Sequence, residues 1–244
     1  MKFAALVTVF CLSLPFSAWG IPRSPVEVAG PPPILQSYEA RYTVKFHGVS
    51  VGEGIHRLIQ RPNGSYHFES STSPHLSFIP YKFTETSDFT WEENQIKPSR
   101  YFYDYHEGKR SKRGFVRFDW LQQKVENTVG KNPWQAELKS GMQDKLSYTF
   151  MLRSDLYRGD YQLSYLVAED DELKPYKFHI LGTETLKTPL GQLKTIKIEH
   201  VHKKGHRTTF WLAKDLDYLL IKIQQERKGK QVGSADIIQY THNR

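Results

Sequence analysis

Cysteine is almost missing from this chain. Cys11 is the single one in 244 residues, and it lies inside an amino-terminal apolar run. That run, Phe3 to Leu14 behind Met1-Lys2, is too short to cross a bilayer comfortably and is ended by Pro15. Ala18-Trp19-Gly20 then sets small residues where a signal peptidase reads them. The expectation is a Sec-type signal peptide over residues 1–20, cleaved after Gly20, and a periplasmic mature chain. Bulky Phe10 in front of Cys11 excludes a lipid-attachment cysteine. Once the signal is removed there is no thiol nucleophile and no possible disulfide, so an oxidising compartment costs the fold nothing. A second apolar run of transmembrane length is also missing, which excludes a spanning helix in the mature chain. So are the G-x-S-x-G elbow, the H-E-x-x-H metal helix and any glycine-rich phosphate loop. These absences favour a binding role over an enzymatic one and imply no cofactor. Export makes nucleic acid an unsuitable partner. The formal charge of +8 fits anionic envelope partners such as phospholipid headgroups, and it also serves ordinary solubility.

What is abundant is aromatic: 14 Tyr, 14 Phe and 5 Trp, residues that favour strands. After a Pro-rich linker at 21–36, apolar and polar residues alternate through Tyr38-Glu39-Ala40-Arg41-Tyr42-Thr43-Val44-Lys45-Phe46, a half-buried antiparallel strand. Gly48, Gly52 and Gly54 mark a turn or bulge. Arg61-Pro62-Asn63-Gly64 is a tight hairpin signal, since Asn-Gly tolerates the positive φ angles that such turns need. Thr72–Pro80 carries two prolines among apolar residues and reads as a loop or short helix over a sheet face. Strands then recur at short intervals to Tyr240, interrupted by one helix expected over Gly141–Arg153, with Ser154 or Gly159 as its stop. Asp144 reads there as helix-surface charge. The pattern predicts a mainly β protein. A single curved antiparallel sheet or half-barrel of about a dozen strands, with one central helix, occupies residues 37–244 as one domain.

Three features carry candidate chemistry. His200 and His202 share one face of a strand, and His206 follows a short turn, so the three form a possible zinc or copper site. The ordinary alternative is amphipathic histidines at a sheet rim beside a basic turn. Tyr101 and Tyr103, with Tyr105, form a stripe that suits either cross-strand packing or the wall of a lipid-accepting cavity. Leu76, Phe78 and Ile79 lie in an apolar segment placed to act as a flap over such a cavity, with Trp211 near it.

The opening Tyr38-x-x-x-Tyr42, the Gly48-Val49-x-Val51-Gly52-Glu53 turn, Gln143-Asp144-x-Leu146-Ser147, Thr188-Pro189-Leu190-Gly191 and the run Trp211 to Leu219 together resemble a bacterial exported family, domain of unknown function 3108. The resemblance covers residues 38–240. It implies a periplasmic half-barrel similar to lipoprotein carriers, with helix or loop held against the concave face of a curved sheet, and it carries over no catalytic residues. The leading expectation is therefore a noncatalytic envelope protein that binds a lipid or acyl chain through Leu76, Phe78, Ile79, Tyr101, Tyr103 and Trp211. The alternatives are a metal-dependent envelope enzyme using His200, His202 and His206, or an interaction protein of envelope assembly.

Overall fold

The computed structural model describes residues 31–75, 81–108, 110–127, 133–169, 172–202 and 205–242. The expected signal peptide and most of the expected linker lie outside this range, as do Leu76, Phe78 and Ile79. The first arm of the chain is a meander of β1 (Tyr38–Phe46), β2 (Val49–Gln60), β3 (Tyr66–Pro74), β4 (Tyr81–Glu92), β5 (Gln95–Glu107), β6 (Arg110–Asp119), β7 (Lys124–Asn127) and β8 (Trp134–Glu137). The second arm starts with β9 (Gln143–Asp144), α1 (Ser147–Arg158) and β10 (Ser164–Ala168). It continues through β11 (Leu173–Thr188), β12 (Gly191–Val201), β13 (His206–Ala213), β14 (Leu219–Arg227) and β15 (Lys230–His242). All fifteen strands belong to one sheet, ordered β8 through β1 and then β15 through β9. The first and last strands therefore meet at its centre, with Tyr38 opposite His242 and Phe46 opposite Gly233. The pairing is antiparallel except for β9 with β10.

Alternation separates a buried inner face from a charged outer one. Tyr38, Ala40 and Tyr42 of β1 are buried, and so are Leu58, Tyr66, Phe68 and Phe89 on neighbouring strands. Charged residues point the other way. Arg41 and Arg57 pair with Glu39, and Arg41 reaches Glu53 at 2.8 Å. Arg61, His67 and Arg100 surround Asp88. Burial works to raise the Asp88 pKa, but His67 and Arg100 overcome it and hold the carboxyl well below its usual range.

The inner side is closed at one end by α1. Phe150 meets the rings of Phe68 at 4.8 Å and Phe89 at 5.2 Å on the first arm. Tyr148 stacks on Phe178 of the second arm at 5.6 Å, and Leu152 and Leu156 join the core that includes Ile198, Phe210 and Leu212. The helix thus ties both arms together.

Several expectations are corrected here. The helix begins later than its periodicity suggests, because Gln143–Asp144 pairs with Val167–Ala168 as β9. Met142, Leu146 and Phe150 are still buried, so the apolar spacing was real but runs through a strand and a turn before the helix. Asp144 is fully buried, not a surface charge. Its Oδ1 accepts from the N–H groups of Leu146 and Ser147 at 2.7 Å each, and the Ser147 Oγ accepts from the Asp144 N–H at 2.9 Å. This reciprocal pairing satisfies donors that a helix start leaves free. Ser154 is buried within the helix, and Gly159 at φ 77 terminates it. Thr72–Pro74, expected in a loop, completes β3. The linker also ends inside the fold, since Ile34 and Leu35 are buried in a short 3-10 turn.

Two glycines are dictated by close approach. A Cβ on Gly52 would lie 2.3 Å from the Ser73 carbonyl oxygen, and one on Gly114 would lie 2.1 Å from the Tyr103 ring. Tyr103 is itself buried, so it has little room to retreat. Gly114→Ala is expected to cost about 1–3 kcal/mol by overpacking, read as a lower urea midpoint. A midpoint equal to the parent's would show that Tyr103 moves freely.

Candidate functional site

The inner face has a filled end and an open end. At the filled end a small cavity of about 70 Å³ remains beneath α1, lined by Tyr38, His56, Phe68, Arg153, Ile198 and Phe210 among others. Arg153 is buried there. Its Nε donates to the Asp217 carbonyl at 3.1 Å, and its guanidinium lies 5.6 Å from the ring centres of Tyr38 and Phe150. His56 faces this cavity. Burial, and then the charge of Arg153, pull its pKa down to about 4, so the ring is neutral near pH 7.

At the open end the sheet forms a cleft of about 730 Å³. Its walls are Val44, Phe46, Val51, Pro74, Tyr81, Ile223 and Ala235, with small residues Gly52, Gly108 and Gly233 between them. Small residues help to keep the space open. Gly233 and Ala235 of β15 occupy positions where larger side chains would fill the trough, and Gly52 of β2 lets β3 approach closely at its wall. Pro74 and Tyr81, which flank residues 76–80, both line the cleft. A second hollow of about 830 Å³ adjoins it and shares Phe46 and Gln225. Its lining is more polar than that of the first, with Glu169, Tyr176, His200, His202, Arg207 and Arg227 among apolar residues such as Leu173 and Val232. Tyr176 donates to Glu169 at 2.6 Å, and Lys174 pairs with the same carboxylate at 2.7 Å. The mouth therefore has an apolar lobe and a polar, charged lobe, each within the size range of small-molecule sites.

The residues singled out from the sequence fall in different places. Tyr101 and Tyr103 point inward but are packed into the core of the first arm, where the Tyr101 hydroxyl donates to Glu85. The Tyr103 ring lies between Lys112 and Lys145, with the ammonium groups 5.6 and 5.9 Å from its centre. Neither lines the open cleft. Trp211 lies between the inward-facing Phe210 and Leu212 and so occupies the outer face. There its Nε1 donates to Glu184 at 2.9 Å and its ring sits between Lys197 and Lys222. His200 is buried, stacks on Tyr176 with ring centres 4.6 Å apart, and donates from Nδ1 to the Lys177 carbonyl at 2.8 Å. Nε2 of His202 is 3.0 Å from the Thr208 hydroxyl. Partial burial, followed by the neighbouring His200, lowers the His202 pKa to about 4. Among the described residues no three His, Asp or Glu side chains converge to hold a metal ion. The histidines form part of the wall of the polar lobe.

A family model described as "Protein of unknown function (DUF3108)" matches residues 38–235. The chain belongs to the DUF3108 family. Comparison with curated proteins finds no match. Among solved structures, the DUF3108 chain is similar to a β-barrel-like protein of the DUF1849 family from Brucella abortus. The two share 12% identity over 86% of this chain and 98% of the other, with a TM-score of 0.56. At that identity the likeness extends to the fold alone. A DUF1329 family protein from Desulfovibrio piger (13% identity, 86% of each chain) overlaps much less, with a TM-score of 0.23. A putative outer membrane lipoprotein-sorting protein domain from Vibrio parahaemolyticus (7% identity, 85% and 84%) does likewise at 0.22.

Sequence reasoning missed the cleft residues Val44, Ile223 and Ala235. Each has the inward phase of an alternating strand, the same signal that marks core residues, and nothing local separates a residue facing a cleft from one facing packed neighbours. The available clue was small residues on the two strands that flank β1, Gly52 and Gly54 on one side and Gly233 and Ala235 on the other.

Proposed function

We propose that this DUF3108 protein is a noncatalytic, exported periplasmic binder of an amphiphilic envelope molecule, with the acyl portion in the apolar cleft and the headgroup in the adjoining polar lobe. The observation that carries this reading is the joined pair of lobes, about 730 Å³ apolar and about 830 Å³ polar, meeting at Phe46 and Gln225. Apolar walls supply nondirectional affinity for a chain, while Tyr176, His202 and Arg227 supply hydrogen bonds and charge for a headgroup. The export signal and the lack, among the described residues, of a helix able to cross a membrane suit a periplasmic carrier.

The test is native mass spectrometry of the protein taken from periplasm, paired with displacement of a fluorescent fatty acid. A retained lipid and saturable probe binding are expected. Ala235→Trp fills the trough and is expected to weaken probe binding about tenfold or more, because roughly 1.5–3 kcal/mol of apolar burial is lost to the ligand. A bare polypeptide mass, together with probe binding unchanged in folded Ala235→Trp, would reject the cleft as the site.

A further inference from the structure

We propose that the rim formed by the β1–β2 and β14–β15 turns, with Gly205 beside them, docks on an anionic phospholipid surface, with Phe46 and Val49 entering the interface and Arg227, Lys228 and Lys230 facing the phosphates. The topology brings these turns together. Phe46 lies opposite Gly233, the His47 N–H donates to the Val232 carbonyl at 3.0 Å, and the Lys228 N–H donates to the Gly205 carbonyl at 3.3 Å. They form one edge of the mouth that leads into both lobes.

Three local rules are broken at this edge and are not repaired among the described residues. First, Phe46 is 58% exposed and Val49 66% exposed, an apolar pair at the tip of a hairpin whose ordinary occupants are polar. Second, like charges face each other across the ladder, with Arg227 opposite Lys230. Direct like-charge opposition destabilises a sheet pair. Arg227, Lys228 and Lys230 are all exposed and have no carboxylate partner among the described residues. Third, Lys228 holds φ 51 in a two-residue turn with Gly229, where asparagine or aspartate is the usual choice. An aspartate there would also have neutralised a neighbour. A positive tip retained at a cost to local stability points to an anionic partner outside the chain.

The apolar pair selects a bilayer over a soluble polyanion. Lysine and arginine alone would suit either, but exposed phenylalanine and valine flanked by cations suit an interface with phosphate above hydrocarbon. The turns at the other end of the sheet differ, carrying Glu92, Glu93, Asp119, Asp215 and Asp217 among their lysines. The molecule would therefore stand on the membrane with its mouth down, and a ligand would pass between bilayer and cleft without crossing water.

The experiment is flotation of the full mature protein with vesicles of phosphatidylcholine, and with an equal mixture of phosphatidylcholine and phosphatidylglycerol, at low and physiological salt. Binding is expected only to the mixed vesicles and is expected to weaken with salt. Replacing Arg227, Lys228 and Lys230 together by Gln should reduce partitioning roughly a hundredfold, at about fivefold per charge. Removing the same charge from exposed Lys187, Lys194 and Lys214 at the other end should change it little. Phe46→Ser should weaken binding while keeping its salt dependence. Equal losses from both triple variants, no preference for phosphatidylglycerol, or binding to an acidic polysaccharide but not to vesicles would each overturn the proposal. Ala235→Trp keeps this edge intact, so it should still float. Docking and cleft occupancy can then fail separately.

Discussion

Phe150→Ala is expected to be the most damaging single truncation in the fold, lowering the free energy of unfolding by about 3–5 kcal/mol. The Phe150 ring is buried and is the main apolar contact of α1 with the first arm, touching Phe68 and Phe89. It also presents a face to the Arg153 guanidinium, which has no ion-pair partner among the described residues and is held by ring faces, the Tyr38 hydroxyl and the Asp217 carbonyl. Alanine would leave a void beside the existing cavity of about 70 Å³, and the neighbouring strands are fixed by their ladders and cannot collapse into it. Tyr161→Ala, at an exposed ring, serves as the comparison and should change stability by no more than about 0.5 kcal/mol. Urea denaturation of both variants measures the difference. A cost below about 1 kcal/mol for Phe150→Ala would mean that the two arms hold their curvature without the helix.

The strands of this fold were largely legible in the sequence because each has one wet face, and period-two alternation then announces both the strand and its inward residues. The run from Tyr38 to Phe46 is the clearest case. Legibility failed where two periodicities overlap. Met142, Leu146 and Phe150 have helical spacing and a common apolar destination, yet only the last lies in α1. The helix start was set by the Asp144–Ser147 pairing, and that could not outrank the apolar pattern without knowing that Asp144 is buried. At Trp211 the alternation itself was legible, since Phe210 and Leu212 on either side take the inward face and leave Trp211 on the outer one, where it meets Glu184, Lys197 and Lys222. The strands β8 and β9 are too short to show any period. The site was less legible than the fold for a topological reason. The cleft and the basic rim are assembled from β1, β2, β14 and β15, strands far apart in sequence that meet only because the chain's ends pair at the sheet centre. The basic tip Arg227-Lys228-Gly229-Lys230 was visible as composition, but its alignment with Phe46 depends on the β1–β15 register.

Asp144 gives the fold a pH dependence of unusual sign. Its carboxyl is fully buried and accepts three hydrogen bonds, from the Leu146 and Ser147 N–H groups and from the Ser87 hydroxyl at 2.6 Å. Burial outweighs those donors and raises the pKa from 3.8 to about 6. The native state therefore holds this proton more tightly than the unfolded chain does. The associated stability is complete below pH 3.8 and is lost as the pH rises through about 6, a change of about 3 kcal/mol for a shift of roughly two units. His56 acts in the opposite direction over the same interval. Its folded pKa of about 4 is depressed, so its contribution is present above the ordinary 6.5 and lost as the pH falls through about 4. The two oppose one another, and the parent protein alone can show an almost flat profile. Asp144→Asn separates them, because the amide keeps an acceptor for the helix N–H groups and resembles the protonated acid. Between pH 4 and 7 the difference in stability between Asp144→Asn and the parent should shift by about 2 kcal/mol in favour of the variant, with the His56 contribution cancelling. Asp144→Ala, which loses the cap and strands the Ser87 hydroxyl, should be less stable than the asparagine variant at every pH, by about 1–3 kcal/mol. Chemical denaturation at a series of pH values reads both differences. A parent-minus-variant difference that does not move across that range would show that the Asp144 carboxyl stays ionised in the fold, with its three donors stronger than its burial.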